Sequence, residues 1–275
     1  MQGIGPRRLS VVIGVPVLIV LATWLLLEPL GILAVLLAIG ALGVLLAFLI
    51  VESRQYTLRL FERSLSEVRS SYTQLEALQG LYWGLAPRSA FPPTRFWAAS
   101  PDLLRVIASH VLRERPQVVV EASSGTSTVI IARCLQMNGS GKVVALEHDP
   151  LYAQRTRDVL AEHGLEEFAE VMHAPLVKHR IGDEEFPWYD TQALQGLGMI
   201  DLLVVDGPPD SIRSFARYPA VPLLRDRMTP GARVLLDDGA RDDERVSAKR
   251  WASELPGATL EFLPLEAGAW SLRLP

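Results

Sequence analysis

Residues 11–51 read VVIGVPVLIVLATWLLLEPLGILAVLLAIGALGVLLAFLIV, and Glu28 is their one charge. No soluble core absorbs so long an apolar run, so this stretch limits the architecture most. Two membrane spans are expected, Val11–Leu27 and Gly31–Val51. They reach about 25 and 31 Å at 1.5 Å per residue, close to the thickness of a bilayer core. Glu28-Pro29 is the expected break, because proline cannot continue a helix and the acid prefers the interface. Arg7 and Arg8 precede the first span, and Arg54, Arg59, Arg63 and Arg69 follow the second. The tip carries no Lys or Arg, so the excess of positive charge inside places both termini in the cytoplasm of a two-span cell-membrane protein. "PRRLSVV" faintly resembles a twin-arginine signal, but the apolar stretch is far too long for a signal peptide. A single re-entrant segment is the weaker third option.

The remaining composition sets further bounds. A net charge of -4 supplies no excess of cations to neutralise phosphates, which argues against a nucleic-acid partner. The one cysteine, Cys134, sits among apolar neighbours and is expected in the core.

Four regions are expected: a cytoplasmic tail, 1–10; a transmembrane helical hairpin, 11–51; a connector helix and proline-rich linker, 52–100; and a catalytic domain, 101–275. In the connector, Leu58, Phe61, Leu65, Val68, Tyr72 and Leu75 follow a 3-4-3-4-3 spacing. That is a short a/d seam, readable as a homodimer contact or as a stripe packed on the chain's own domain. Phe91, Phe96 and Trp97 form an aromatic patch in the linker, placed to rest on the membrane or on the domain. Ser100-Pro101 reads as a helix start.

From residue 101 onward strands and helices alternate. "QVVVEA", "KVVALEHD", "AEVMHAP", "IDLLVVDGPP" and "ARVLLDDG" read as strands. Helical patterns separate most of them, with "RYPAVPLLRDRM" as the third of these. The segment 178–196 replaces a compact crossover helix, and its Trp188, Tyr189 and Asp190 are candidates for a substrate wall or lid. "ATLEFLPLEAGAWSLRL" closes the chain as two strands about Gly268. The expected fold is α/β: a mostly parallel seven-stranded sheet with helices on both faces and a C-terminal antiparallel hairpin. Its ligand site lies at the carboxyl ends of the strands.

"VVVEASSGTST", "VVALEHDP", "IDLLVVDGPP" and the closing hairpin occur in the order found in the class I S-adenosylmethionine-dependent methyltransferases. Residues 101–275 resemble that family, and nothing before them does. The resemblance implies a Rossmann-like domain with S-adenosylmethionine as cofactor. It implies cofactor contacts from Glu121, Ser123, Ser124, Gly125, Thr126, Ser127, Glu147, His148, Ala174 and Asp206. Glu121 would meet the methionine ammonium, the loop at the helix start its carboxylate, and Glu147 the ribose hydroxyls. Ser123 stands where the family commonly has glycine, and its β-carbon narrows the approach.

Asp206, Asp238 and His173 are the candidate catalytic groups. Catechol-type members bind magnesium through an Asp and an Asp-Asn pair. Here the pair is Asp237-Asp238, and the lysine that follows the first Asp in those enzymes is missing. The preferred reading uses no metal, with Arg213, Arg217 or Arg241 neutralising the acids. The expected acceptor is a small or lipid-linked molecule, with an O-methyl acceptor as one possibility. The alternatives are an inert cofactor-binding membrane scaffold of the same fold and a nicotinamide-dependent oxidoreductase. The oxidoreductase is disfavoured by the lack of G-x-G-x-x-G.

Overall fold

The computed structural model describes residues 6–95 and 98–275, with side chains from residue 13. Phe96 and Trp97 of the expected aromatic patch, and residues 1–5 of the tail, lie outside the described residues. The chain divides into two compact units, Met1–Arg69 and Ser70–Pro275.

In the first unit, α1 spans Pro6–Leu30 and α2 begins at Ile32. Both helices are long and apolar enough to cross a membrane. Their apolar side chains face outward: Trp24 is 74% exposed and Ile32 79%. The break falls at Gly31 (φ +52°) rather than at Glu28-Pro29. Pro29 is the second-last residue of α1 and forfeits only one hydrogen bond, whereas the left-handed turn requires glycine. Past the second apolar run the same helix continues, so that α2 spans Ile32–Leu85.

In the second unit the last turns of α2 bury Gln74, Ala77, Leu81 and Leu85. Tyr72 and Leu75, from the expected seam, are 62% and 61% exposed, so the packed face is a different stripe. Phe91 is buried against Tyr82 and His163, which places it on the domain. Helix α3, Pro101–Glu114, follows the linker. It starts at Ser100-Pro101, but the Ser100 hydroxyl does not cap it. That hydroxyl donates to Asp102 Oδ1 (2.6 Å), and the same oxygen accepts from the Leu103 amide (2.8 Å).

Then come β1 (Val118–Ala122), α4 (Thr126–Asn138), β2 (Lys142–Glu147), α5 (Pro150–His163) and β3 (Ala169–His173). The hairpin β4 (Leu176–Ile181) and β5 (Glu184–Tyr189) is followed by β6 (Ile200–Val205), α6 (Ala220–Leu224), β7 (Met228–Leu236) and α7 (Asp242–Glu254). Strands β8 (Thr259–Leu263) and β9 (Ala269–Arg273) close the chain. The main sheet has the order β3-β2-β1-β6-β7-β9-β8, parallel through β7 and antiparallel at β9 and β8.

The apolar runs of the central strands follow from burial on both faces. Val119, Leu202 and Val204 pack under α3, α4 and α5. Val120, Ala122, Leu203 and Val205 face the β4–β5 hairpin, α6 and α7. The hairpin takes the place of the missing crossover helix. Its Phe186, Trp188 and Tyr189 are buried, so Trp188 is core rather than lid. The expected helix over 217–228 shrinks to α6 and a 3-10 turn, and β7 starts at Met228. Pro219 and Pro222 lack the amides a longer helix would use.

Candidate active site

The sheet changes direction between β1 and β6, and loops leaving β1, β2, β6 and β7 meet above that point. They enclose a cavity of about 810 Å³ at the carboxyl ends of the strands, as expected for a ligand site in this architecture. Ser123, Ser124, Glu147, His148, Asp206 and Asp238 line it.

Glu147 ends β2 and is 4% exposed. Its Oε2 accepts from the Ser124 amide (3.2 Å) and hydroxyl (3.1 Å), and its Oε1 accepts from the Asp149 amide (3.1 Å). Two loops therefore brace one carboxylate at the cavity wall. Asp149 caps α5 by accepting from the Leu151 and Tyr152 amides. His148 Nδ1 lies 3.1 Å from Glu147 Oε1.

Glu121 lies elsewhere. It is fully buried and does not line the cavity. The Thr128 hydroxyl donates to its Oε2 (2.5 Å) and accepts from the Gly125 amide (3.0 Å), tying the acid to the start of α4. Its Oε1 has no hydrogen-bond partner, and burial pushes its pKa up to about 7, with Ser127 and Thr128 opposing. Thr126 donates to the Pro93 carbonyl (3.0 Å), and Ser127 is buried. Gly125, Thr126, Ser127, His173 and Ala174 are not in the cavity lining. Ala174 is buried, with its amide on the Glu147 carbonyl (2.8 Å), while His173 is exposed at the end of β3.

Ser123 has φ +109°, in the region that favours glycine. Gly207, beside it, has no room for a β-carbon. One built there would collide with the Tyr189 hydroxyl and crowd the Ser123 β-carbon. Tyr189 thus forms part of the cavity wall, held at close range by a glycine.

The opposite wall is charged. Arg217, with a 6% exposed side chain, donates from Nη2 to Asp238 Oδ2 (2.8 Å) and lies 3.3 Å from Asp206 Oδ1. Its Nη1 donates to the Asp237 carbonyl (3.1 Å). Glu244 lies 3.8 Å from its Nε, and both that Nε and Glu244 Oε2 lack hydrogen-bond partners. Arg241 adds a second cation 3.1 Å from Asp238. Arg213 instead lies over the Phe186 ring. Burial pushes Asp206 well above the usual carboxylate range, with Arg217 opposing and Asp237 and Asp238 reinforcing. Burial and then Asp238 push Asp237 up to about 6. Among the described residues no group of three or more His, Cys, Asp or Glu is arranged to hold a metal ion.

Sequence reasoning did not place Tyr152, Asp210 or Glu266 at this cavity. For Tyr152 a signal was available, since it sits in the first turn of the helix that follows Glu147.

The parallel sheet with its reversed last strands, and a braced acid at the end of the second strand, define a class I S-adenosylmethionine-dependent methyltransferase fold. Residues 120–239 match the family described as "Methyltransferase domain", so the matched part of the second unit resembles that family in sequence as well as in fold. Among solved structures, a methyltransferase from Podospora anserina bound to SAH is 16% identical, with TM-score 0.54, covering 77% of this chain and 96% of its own. The O-methyltransferase from Bacillus cereus in complex with SAH is 16% identical, with TM-score 0.52 and coverages of 76% and 97%. The O-methyltransferase TomG from Streptomyces achromogenes, in complex with SAM, is 16% identical, with TM-score 0.51 and coverages of 75% and 95%. No curated protein matches the sequence.

Proposed function

We propose that the chain is a membrane-anchored, S-adenosylmethionine-dependent methyltransferase that acts on a hydroxyl of a small or lipid-linked acceptor. In this reading the apolar helices of the first unit span the membrane, and both termini and the domain are cytoplasmic. The arginines flanking the spans support that orientation.

The donor set fits the cofactor. Glu147 is braced by two loops at the cavity wall, where a carboxylate suits a ribose diol. Ser123 and Ser124 border the start of α4, which suits a carboxylate. When bound, S-adenosylmethionine supplies an electrophilic methyl group on a sulfonium.

The rest falls to this chain's own residues. The observation that carries the reading is Asp206, which enters the cavity from the end of β6 with its proton affinity raised by burial. Asp206 takes the proton of the acceptor hydroxyl. Arg217 holds Asp206 and Asp238 in place, and Tyr189 walls the cavity against water. Asp238 is tied to Arg217 and Arg241 and serves as a positioning residue. His173, exposed and outside the lining, is the weaker candidate.

The test is methyl transfer from radiolabelled S-adenosylmethionine by the full chain in detergent, offered catechols, other hydroxyl acceptors and extracted lipid. Loss of transfer in Asp206→Asn with retained cofactor binding supports the assignment. Binding without transfer to any acceptor would establish the inert scaffold instead. For topology, cysteines placed at Gln2 and Ser89 in a Cys134→Ser background should resist an impermeant reagent in intact cells; labelling of either overturns the orientation.

A further inference from the structure

The far end of the sheet, away from the cavity, carries a second polar constellation. Two adjoining recesses of about 250 and 370 Å³ share His110 and Arg233 in their walls. Arg115 and Arg273 line the first, and Arg105 and Arg113 line the second.

Arg233 on β7 and Arg273 on β9 stand directly opposite each other in the antiparallel register. Like charges in that position repel at a distance of about 5 Å between β-carbons, and a stable sheet usually avoids the pairing. Arg233 donates from Nη1 to the Ser271 hydroxyl (2.9 Å), and the two acids that line the first recess, Glu114 and Asp201, form no ion pair with either arginine among the described residues. Glu114 is paired with Arg113 (2.9 Å). Asp201 accepts from the Gln117 and Val118 amides and the Thr229 hydroxyl. Among the described residues Arg105, Arg115, Arg233 and Arg273 have no acidic partner.

His110 supplies an independent observation. It is 9% exposed, lines both recesses, and its buried Nδ1 has no hydrogen-bond partner. Burial, and then the field of Arg233, push its pKa down to about 4. A buried ring nitrogen without a partner, in the wall beside two facing arginines that have no acidic partner, marks a polar cluster that the described residues leave incomplete.

We propose that this basic recess is an anion site for a phosphate-bearing group, bound across the Arg233–Arg273 pair, with Arg105 and Arg115 at its rim. Guanidinium forks match phosphate oxygens in bidentate geometry, and one such anion offsets the repulsion between the two strands. The group is either a free phosphate or the headgroup of an anionic lipid, since both offer the same oxygens. The site is separate from the cavity lined by Glu147 and Asp206 and does not depend on the methyltransferase reading.

The test is calorimetric titration of the full chain in uncharged detergent. The probes are inorganic phosphate and dihexanoyl phosphatidylglycerol, with dihexanoyl phosphatidylcholine as the control. Saturable binding of either anionic probe is expected, weakened about tenfold or more in Arg233→Gln/Arg273→Gln. Arg105→Gln, at an exposed position on α3, should weaken it by a smaller factor without touching the sheet. Saturation by phosphate assigns a free anion, and saturation by phosphatidylglycerol alone assigns a headgroup; both support the site. No saturable binding of either probe, or equal binding by wild type and both variants, overturns it.

Discussion

Arg217 donates to Asp238 across 2.8 Å while lying 3.3 Å from Asp206, so one buried guanidinium joins the loops that follow β6 and β7. Removing it would leave several acids close together in a poorly solvated pocket. Arg217→Met should therefore destabilise the domain by about 3–5 kcal/mol, the usual cost of breaking a buried ion pair from one side. Urea denaturation of the full chain in detergent measures it. Arg217→Lys should recover part of the loss, because a point charge cannot match the fork.

The strained loop gives a second expectation. Ser123 has φ +109°, so Ser123→Gly should stabilise the fold by about 1 kcal/mol through relief of strain. Gly207→Ala should do the reverse, by about 1–3 kcal/mol, because its methyl meets the Tyr189 hydroxyl. Adding Tyr189→Phe removes the colliding oxygen and should restore part of that loss. Thermal unfolding of the three variants decides the matter, and failure of Tyr189→Phe to rescue would place the clash elsewhere.

The two acid-ended strands explain what could be read from the sequence and what could not. Strands β1, β2 and β6 announce themselves as apolar runs because both of their faces are buried, and the acids at their ends point to the ligand edge. Glu121 and Glu147 look alike in that pattern. Parallel register separates them: Glu121 pairs with Ala145, so Glu147 lies two residues nearer the cavity. At about 3.3 Å per residue that is roughly 6–7 Å, enough to put one acid in the wall and the other beneath α4. The burial of Arg217 was equally hidden, because it depends on loops far apart in the chain closing over it. The connector seam was legible as a pattern, yet which stripe packs on the domain is decided by tertiary contacts at Ala77, Leu81 and Leu85.

Glu121 also carries a pH expectation. Its folded pKa is raised to about 7 by burial, above the ordinary value of 4.5. Its contribution is full below the ordinary value and is lost as pH rises through about 7. Stability should fall by about 3 kcal/mol between pH 4 and 8 from this group alone. Glu121→Gln, which keeps an acceptor for Thr128, should flatten that slope. An unchanged slope in urea titrations at several pH values would show that Glu121 is not the responsible group.

Glu147→Ala should weaken S-adenosylmethionine binding by about 1–3 kcal/mol, the range for leaving polar partners unpaired. The Ser124 and Asp149 amides would both lose their shared acceptor, so the two loops at the cavity wall should loosen together. Calorimetry on the full chain in detergent tests this, and an unchanged dissociation constant would remove Glu147 from the cofactor site.

The last expectation concerns the connector. Leu58, Phe61, Leu65, Val68, Tyr72 and Leu75 are 40–66% exposed. A heptad seam left open along a helix is satisfied most directly by a second copy of itself, where each side chain fits into a hole made by four others. We propose a homodimer through residues 58–75 on that ground. An aspartate within such a seam would be desolvated without a partner, which opposes pairing. Leu65→Asp/Val68→Asp should therefore convert the detergent-solubilised protein from dimer to monomer, read by sedimentation equilibrium. Both positions follow the apolar run of α2, so membrane extraction and cofactor binding should be unaffected by the change. A mass that is dimeric before and after the double substitution would assign pairing to another surface. A wild type already monomeric across the accessible concentration range would leave the stripe no role in self-association.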